Sequence, residues 1–111
     1  MKNEMIESEK VIERKLVEAV KANGGMCIKL LCDNLLGLPD RMVLMPHSKI
    51  AFVELKTTGQ KPRRIQVFMH NKLRNIGFRV EVIDTVEGVN NFVEDIMLNN
   101  ERRKDGRFSK C

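Results

Sequence analysis

An α/β domain with the element order α-β-β-β-α-β-α is expected from three features of this sequence. Apolar residues recur at helical spacing in three separate segments, short apolar or alternating runs lie between them, and glycines punctuate the ends of the first two helical segments. Ile12, Leu16, Ala19 and Val20 share one face of a helix expected from about Glu4 to Ala22, which Asn23-Gly24-Gly25 ends in the usual way. The run MCIKLLC reads as a strand, followed by a loop from Asp33 to Pro39. Residues 41–45 and 50–56 read as a hairpin around PHSK. Pro62 is expected in the first turn of a second helix that carries Ile65, Phe68, Met69, Leu73 and Ile76 on one face and stops at Gly77. FRVEVID alternates like a strand. Asp84 or Thr85 then caps a last helix with Val86, Val89, Phe92, Val93, Ile96 and Met97 on one side.

Length and composition limit the function. At 111 residues the chain is one domain, expected over 1–99, with a basic, flexible tail over 100–111 that is either a solvated end or a grip on phosphates. Only 42% of residues are hydrophobic and there is no Trp or Tyr, so the core must rest on aliphatic residues, Met and a few Phe. Twenty Lys and Arg against fifteen Asp and Glu leave a net charge of +5, which favours a polyanionic partner through phosphate contacts and counterion release. No apolar run approaches the roughly 20 residues of a membrane span, and the acidic, polar start is unlike a signal peptide. A cytoplasmic protein with no membrane partner is expected. Cys27, Cys32 and Cys111 lack CxxC spacing, so neither a disulfide framework nor a zinc knuckle is indicated. His47 and His70, far apart, read as surface or packing residues.

Several carboxylates break the apolar pattern. On the strand from Ile50, side chains alternate, so Ile50, Phe52, Glu54 and Lys56 share one face and Ala51, Val53 and Leu55 the other. Both faces begin apolar, which marks a central strand. A carboxylate emerging there needs a cation or the rim of a cleft, because burying it alone costs several kcal/mol or forces it to take up a proton. In the first helix Glu9 falls within the apolar arc and Glu13 lies at its edge, so both acids face the body of the protein. Gln66 sits at the margin of the second helix's arc. The bare Asp-x(n)-Glu-x-Lys spacing is loose enough to recur by chance. Its context raises it: Asp40 opens a strand after Gly37-Leu38-Pro39, and the other polar residues flank it.

The stretches SEKVIERKLVEAVKANGG, CIKLL, GLPDRMVLMP, FVELKTTG, Gln66 and GFRVEVID fall in the order found in the VRR-NUC family. That family is a branch of the PD-(D/E)xK nuclease superfamily and is similar to archaeal Holliday-junction resolvases. The chain resembles it over nearly the whole domain. The resemblance implies a restriction-endonuclease-like core with a central mixed β-sheet flanked by helices. It also implies a metal-dependent, structure-selective DNA endonuclease that works as a homodimer on branched DNA such as four-way junctions. Small members of this kind are often phage-encoded and act in a host cell. By the same resemblance, Asp40, Glu54 and the Leu55 carbonyl would ligate Mg²⁺ or Mn²⁺, which prefer oxygen ligands and keep several waters. Lys56 would orient the attacking water or stabilise phosphate charge. Glu13 carries over as the helical acid, with Glu9 as its rival, and Gln66 would position the phosphate or water. Lys29 is the expected substrate contact. PHSK replaces the family's often Gly-rich turn. Two other readings stand beside this one: a catalytically inactive nucleic-acid-binding module of the same fold, and a small dimerising adaptor that leaves the inward acids unexplained.

Overall fold

The computed structural model describes residues 5–31 and 34–98. Glu4, Cys32, Asp33 and the segment from Asn99 to Cys111, which includes the expected basic tail, lie outside the described residues. Among the described residues seven elements occur, in the expected order: α1 (Glu9–Ala22), β1 (Met26–Lys29), β2 (Arg41–Met45), β3 (Lys49–Leu55), α2 (Arg64–Asn75), β4 (Arg79–Ile83) and α3 (Val86–Leu98). The strands form one sheet in the order β1-β2-β3-β4. β1, β2 and β3 are antiparallel neighbours, and β4 runs parallel to β3 after the crossover through α2, so the sheet is mixed.

α1 begins later than the apolar spacing indicates because Ser8 caps it, its side chain accepting a hydrogen bond from the Val11 N–H. Ile12, Leu16 and Val20 then lie fully buried on one face of the sheet, with Val43, Met45, Ala51, Val53, Leu55 and Ile83 from the strands. Val89, Phe92, Val93 and Ile96 of α3 complete this layer. Each fully buried aliphatic side chain contributes roughly 1.5–3 kcal/mol, so this lean set of residues is the main driving force for folding. Thr85 caps α3, its hydroxyl accepting from the Gly88 N–H. At the other end the buried Lys49 ammonium donates to the Met97 carbonyl at 2.7 Å, placing a cation on the negative pole of the helix. The hairpin tip holds His47 and Ser48 in left-handed backbone (φ 68° and 62°), which glycine adopts without cost; the sequence meets the turn's demand without one.

α2 departs from expectation in two ways. Pro62 precedes the N-cap residue Arg63, so it stands just outside the helix. The apolar arc also does not face inward: Phe68 and Ile76 are largely exposed and Ile65 is in part, while the buried side chains are Gln66 and His70. The helix is rotated by polar ties, because Gln66 is bonded to Glu54 and the Arg74 guanidinium donates to the Val80 carbonyl at 2.8 Å. The sheet face beneath α2 is therefore only partly covered, and Ile50, Phe78 and Val82 remain open to solvent. No helix among the described residues is long and apolar enough to cross a membrane.

Candidate active site

The strand register builds the centre of the site. Arg41 pairs with Val53 across the antiparallel β2–β3 ladder, and one further step places Asp40 opposite Glu54. Cross-strand partners share a face, so both acids lie on the α2 side of the sheet. Asp40 is tied to its neighbour by more than register: its Oδ2 accepts the Leu55 N–H at 2.8 Å, and its carbonyl accepts the Leu30 N–H at 2.9 Å. The loop leading to Asp40 packs on the first turn of α2. Gly37 has φ +84°, and a Cβ there would lie 2.4 Å from the Ile65 carbonyl oxygen, so both conformation and space require glycine.

Glu54 is 2% exposed. Its Oε2 accepts a hydrogen bond from the Gln66 Nε2 at 2.8 Å and pairs with the Lys56 ammonium at 3.3 Å. Its Oε1 has no hydrogen-bond partner among the described residues. Burial pushes the carboxyl up to about 7, the Asp40 charge adds to that, and Lys56 opposes it. Gln66 serves two purposes at once. Its Oε1 accepts the Arg63 N–H at 2.7 Å, as a residue in the third position of a helix does in a capping box, and its amide nitrogen is then aimed at Glu54. His70, one turn further along α2, is as buried as Glu54; burial lowers its pKa, with the nearby Arg74 and Lys56 charges acting in the same direction.

The two helical acids part company. Glu13 is engaged by Arg41, whose Nε and second guanidinium nitrogen both donate to Glu13 Oε2 at 2.9 and 2.8 Å. The remaining Arg41 nitrogen donates to the Cys27 carbonyl, and the half-buried Cys27 thiol is pushed up by burial. Glu9, expected to face the body of the protein, is exposed; its N–H is held by Thr57 Oγ1 just beyond Lys56, and its negative charge is the last of the causes that raise the Glu54 carboxyl. Lys29 is exposed at the end of β1, opposite Arg41 in the ladder and so on the α1 face of the sheet. Among the described residues, no three His, Cys, Asp or Glu side chains converge as a cation-holding group. Asp40 and Glu54 form a two-acid set beside a backbone strand end.

Sequence reasoning passed over four contributors. Arg41 follows Asp40 directly but reads as an ordinary strand residue. His70 reads as a packing residue, although its spacing of four from Gln66 puts both on one helix face. Thr57 and Thr58 follow Lys56 and fasten the turn behind it. Thr57 Oγ1 accepts the Glu9 N–H, and Thr58 Oγ1 accepts the Glu7 N–H and donates to the Asp84 carbonyl. These bonds hold Lys56 between the start of α1 and the end of β4.

A buried carboxylate oxygen without a partner among the described residues, a second acid across the ladder and a lysine on the same face suit a hydrated divalent cation. No family model matches the chain. Over 74 residues it is 40% identical to "Putative nuclease p44" of Acyrthosiphon pisum secondary endosymbiont phage 1, a span of 67% of this chain and 80% of that protein. A solved structure described as a VRR_NUC domain matches with a TM-score of 0.74 and 30% identity, covering 79% of this chain and 96% of the other. Its likeness extends to the mixed four-stranded sheet with flanking helices, the restriction-endonuclease-like core. With that share of sequence and structure held in common, the chain belongs to the VRR-NUC family.

Proposed function

We propose that this VRR-NUC nuclease hydrolyses phosphodiester bonds of DNA with Mg²⁺ or Mn²⁺ held by Asp40, Glu54 and the Leu55 carbonyl. The observation that carries the reading is Glu54: a carboxylate buried in the sheet, opposite another acid, with one oxygen that meets no donor among the described residues. A cation removes the mutual repulsion that helps to push Glu54 up to about 7. When bound it lowers the pKa of a coordinated water and offsets charge building on the phosphate. The chain's own groups do the rest. Gln66 and Lys56 fix Glu54 Oε2, and Lys56 stands ready to donate to the phosphate or to orient the water. Asp40, bonded to the Leu55 N–H, holds the strand end against Glu54. Glu9 supplies further negative charge at the helical end of the site. Glu13 works through Arg41, orienting the strand that carries Asp40.

Branched DNA such as a four-way junction is the proposed substrate, cut by a homodimer whose two sites address two strands. The partly covered sheet face supports the dimer. Ile50, Phe78 and Val82, together with Phe68 of α2, leave apolar surface in water, which a second copy would bury. The net charge of +5 supports a phosphate partner, with Lys29 as one contact, and the domain is taken as 1–99 with a basic tail beyond it. Likeness to a phage protein supports a phage-encoded enzyme acting in the host cytoplasm.

Cleavage of matched four-way-junction and linear duplex substrates, with Mg²⁺, Mn²⁺ or EDTA, tests the proposal. Cation-dependent cutting that favours the junction and vanishes in folded Asp40→Ala and Glu54→Ala variants is expected. Cation-dependent binding of DNA without cutting would instead make the chain an inactive binding module.

A further inference from the structure

Glu54 Oε1 and His70 Nε2 are the buried side-chain polar atoms left without a hydrogen-bond partner among the described residues. They face each other at 3.9 Å, too far for a direct hydrogen bond. Both side chains are 2% exposed, so bulk water does not serve them. Buried polar atoms are nearly always paired, and two orphans facing one another point to a shared third body. A water set to one side of the line between them, about 2.8 Å from each, would see its two partners at an angle of roughly 90°, within reach of ordinary hydrogen-bond geometry. Water also suits either tautomer of a neutral imidazole: it donates to the carboxylate and then donates to Nε2 or accepts from it.

The helix explains why His70 is available. Gln66 and His70 are four apart on α2 and leave the same face, and they are that helix's two buried side chains. Gln66 takes Oε2 of Glu54 and His70 looks at Oε1. We propose that His70 is a positioning residue of the cation site: with Glu54 Oε1 it holds one water of the cation's hydration shell. Gln66 and Lys56 thereby set one oxygen of Glu54, and His70 sets the other through that water. The inference rests on the reading of Asp40 and Glu54 as cation ligands.

The test is Mn²⁺ affinity of the full chain, read by electron paramagnetic resonance, for wild type, His70→Phe, His70→Gln and Asp40→Asn. His70→Leu serves if the Phe variant does not fold. Removing a group that orients a ligand through a hydrogen bond typically weakens metal binding about 10–100-fold, and that loss is expected for His70→Phe. His70→Gln, which places an amide nitrogen near the position of Nε2, should restore binding. The cation-free melting temperature of His70→Phe should equal or exceed that of wild type, because an orphaned polar atom has been removed. A purely structural role would lower it. Wild-type affinity in His70→Phe, a His70→Gln variant as weak as His70→Phe, or nitrogen hyperfine coupling from an imidazole bound directly to Mn²⁺ would each overturn the inference alone. Absence of any Asp40-dependent Mn²⁺ binding in the wild type would overturn the cation-site reading, and this inference with it.

Discussion

Replacing Glu54 by Gln should stabilise the cation-free protein at alkaline pH while removing its response to metal. Burial first, and the Asp40 charge second, raise the Glu54 carboxyl from 4.5 to about 7. Between those two values the folded protein keeps a proton that the unfolded chain has lost. Stability therefore falls as pH rises from about 4.5 to about 7, and is level above that window. A gap of about 2.5 pH units at about 1.36 kcal/mol each gives an upper bound of about 3 kcal/mol. The amide of the Glu54→Gln variant never ionises, so it avoids that cost. Its oxygen can accept from Gln66, and its NH₂ is directed at the unpaired Nε2 of His70. Urea unfolding in EDTA at pH 8 and pH 4 measures the effect. Glu54→Gln should be more stable by about 1–3 kcal/mol at pH 8, with the difference largely gone at pH 4, where both proteins carry a neutral side chain. Added Mn²⁺ at pH 8 should raise wild type only. A variant less stable than wild type at pH 8 in chelator, or an equal gain at both pH values, would refute the argument that Glu54 is held as an unfavourable buried anion.

Other expectations follow from the same geometry. Lys56→Ala should bind branched DNA within about tenfold of wild type, a loss of about 1.4 kcal/mol, and cut it very slowly; normal cutting would remove Lys56 from the chemistry. Glu13→Gln should cost about 1–3 kcal/mol in urea unfolding because it leaves the mostly buried Arg41 with a neutral partner, whereas the exposed Glu9→Gln should leave stability nearly unchanged and weaken Mn²⁺ binding. The reverse pattern would exchange their roles. Light scattering should give the mass of a dimer, and Val82→Lys with Phe68→Glu should give a monomer that keeps its fold; a wild-type monomer would leave the open sheet face without its proposed occupant.

How much of this was legible in the sequence differs by element. β3 was readable because alternation is strict on a central strand: with both faces apolar, Glu54 stood out as an acid where none belongs. α3 was readable for a similar reason, since one face carries nearly all its apolar residues and that face is the buried one. α2 misled because helical periodicity reports where apolar groups cluster, and here polar bonds to Glu54 and Val80 set the rotation. The apolar arc on Ile65, Phe68 and Ile76 therefore faces water in the single chain. The pairing of Asp40 with Glu54 needed the register, which a turn with no glycine does not announce. His70 and Arg41 were hidden for a different reason. Each is unremarkable by residue type and spacing, and its importance comes from what lies opposite it in the fold: Glu54 for one, Glu13 for the other.

The central claim is that Asp40 and Glu54 together hold a divalent cation. A crystal of the protein soaked in Mn²⁺ tests it most directly, through anomalous scattering. A peak is expected within ligand distance of both carboxylates, with Glu54 Oε1 as one ligand or one water removed from it, and no such peak in Asp40→Ala. A peak elsewhere, or Glu54 still bonded only to Gln66 and Lys56 under saturating Mn²⁺ while the enzyme remains active, would contradict it.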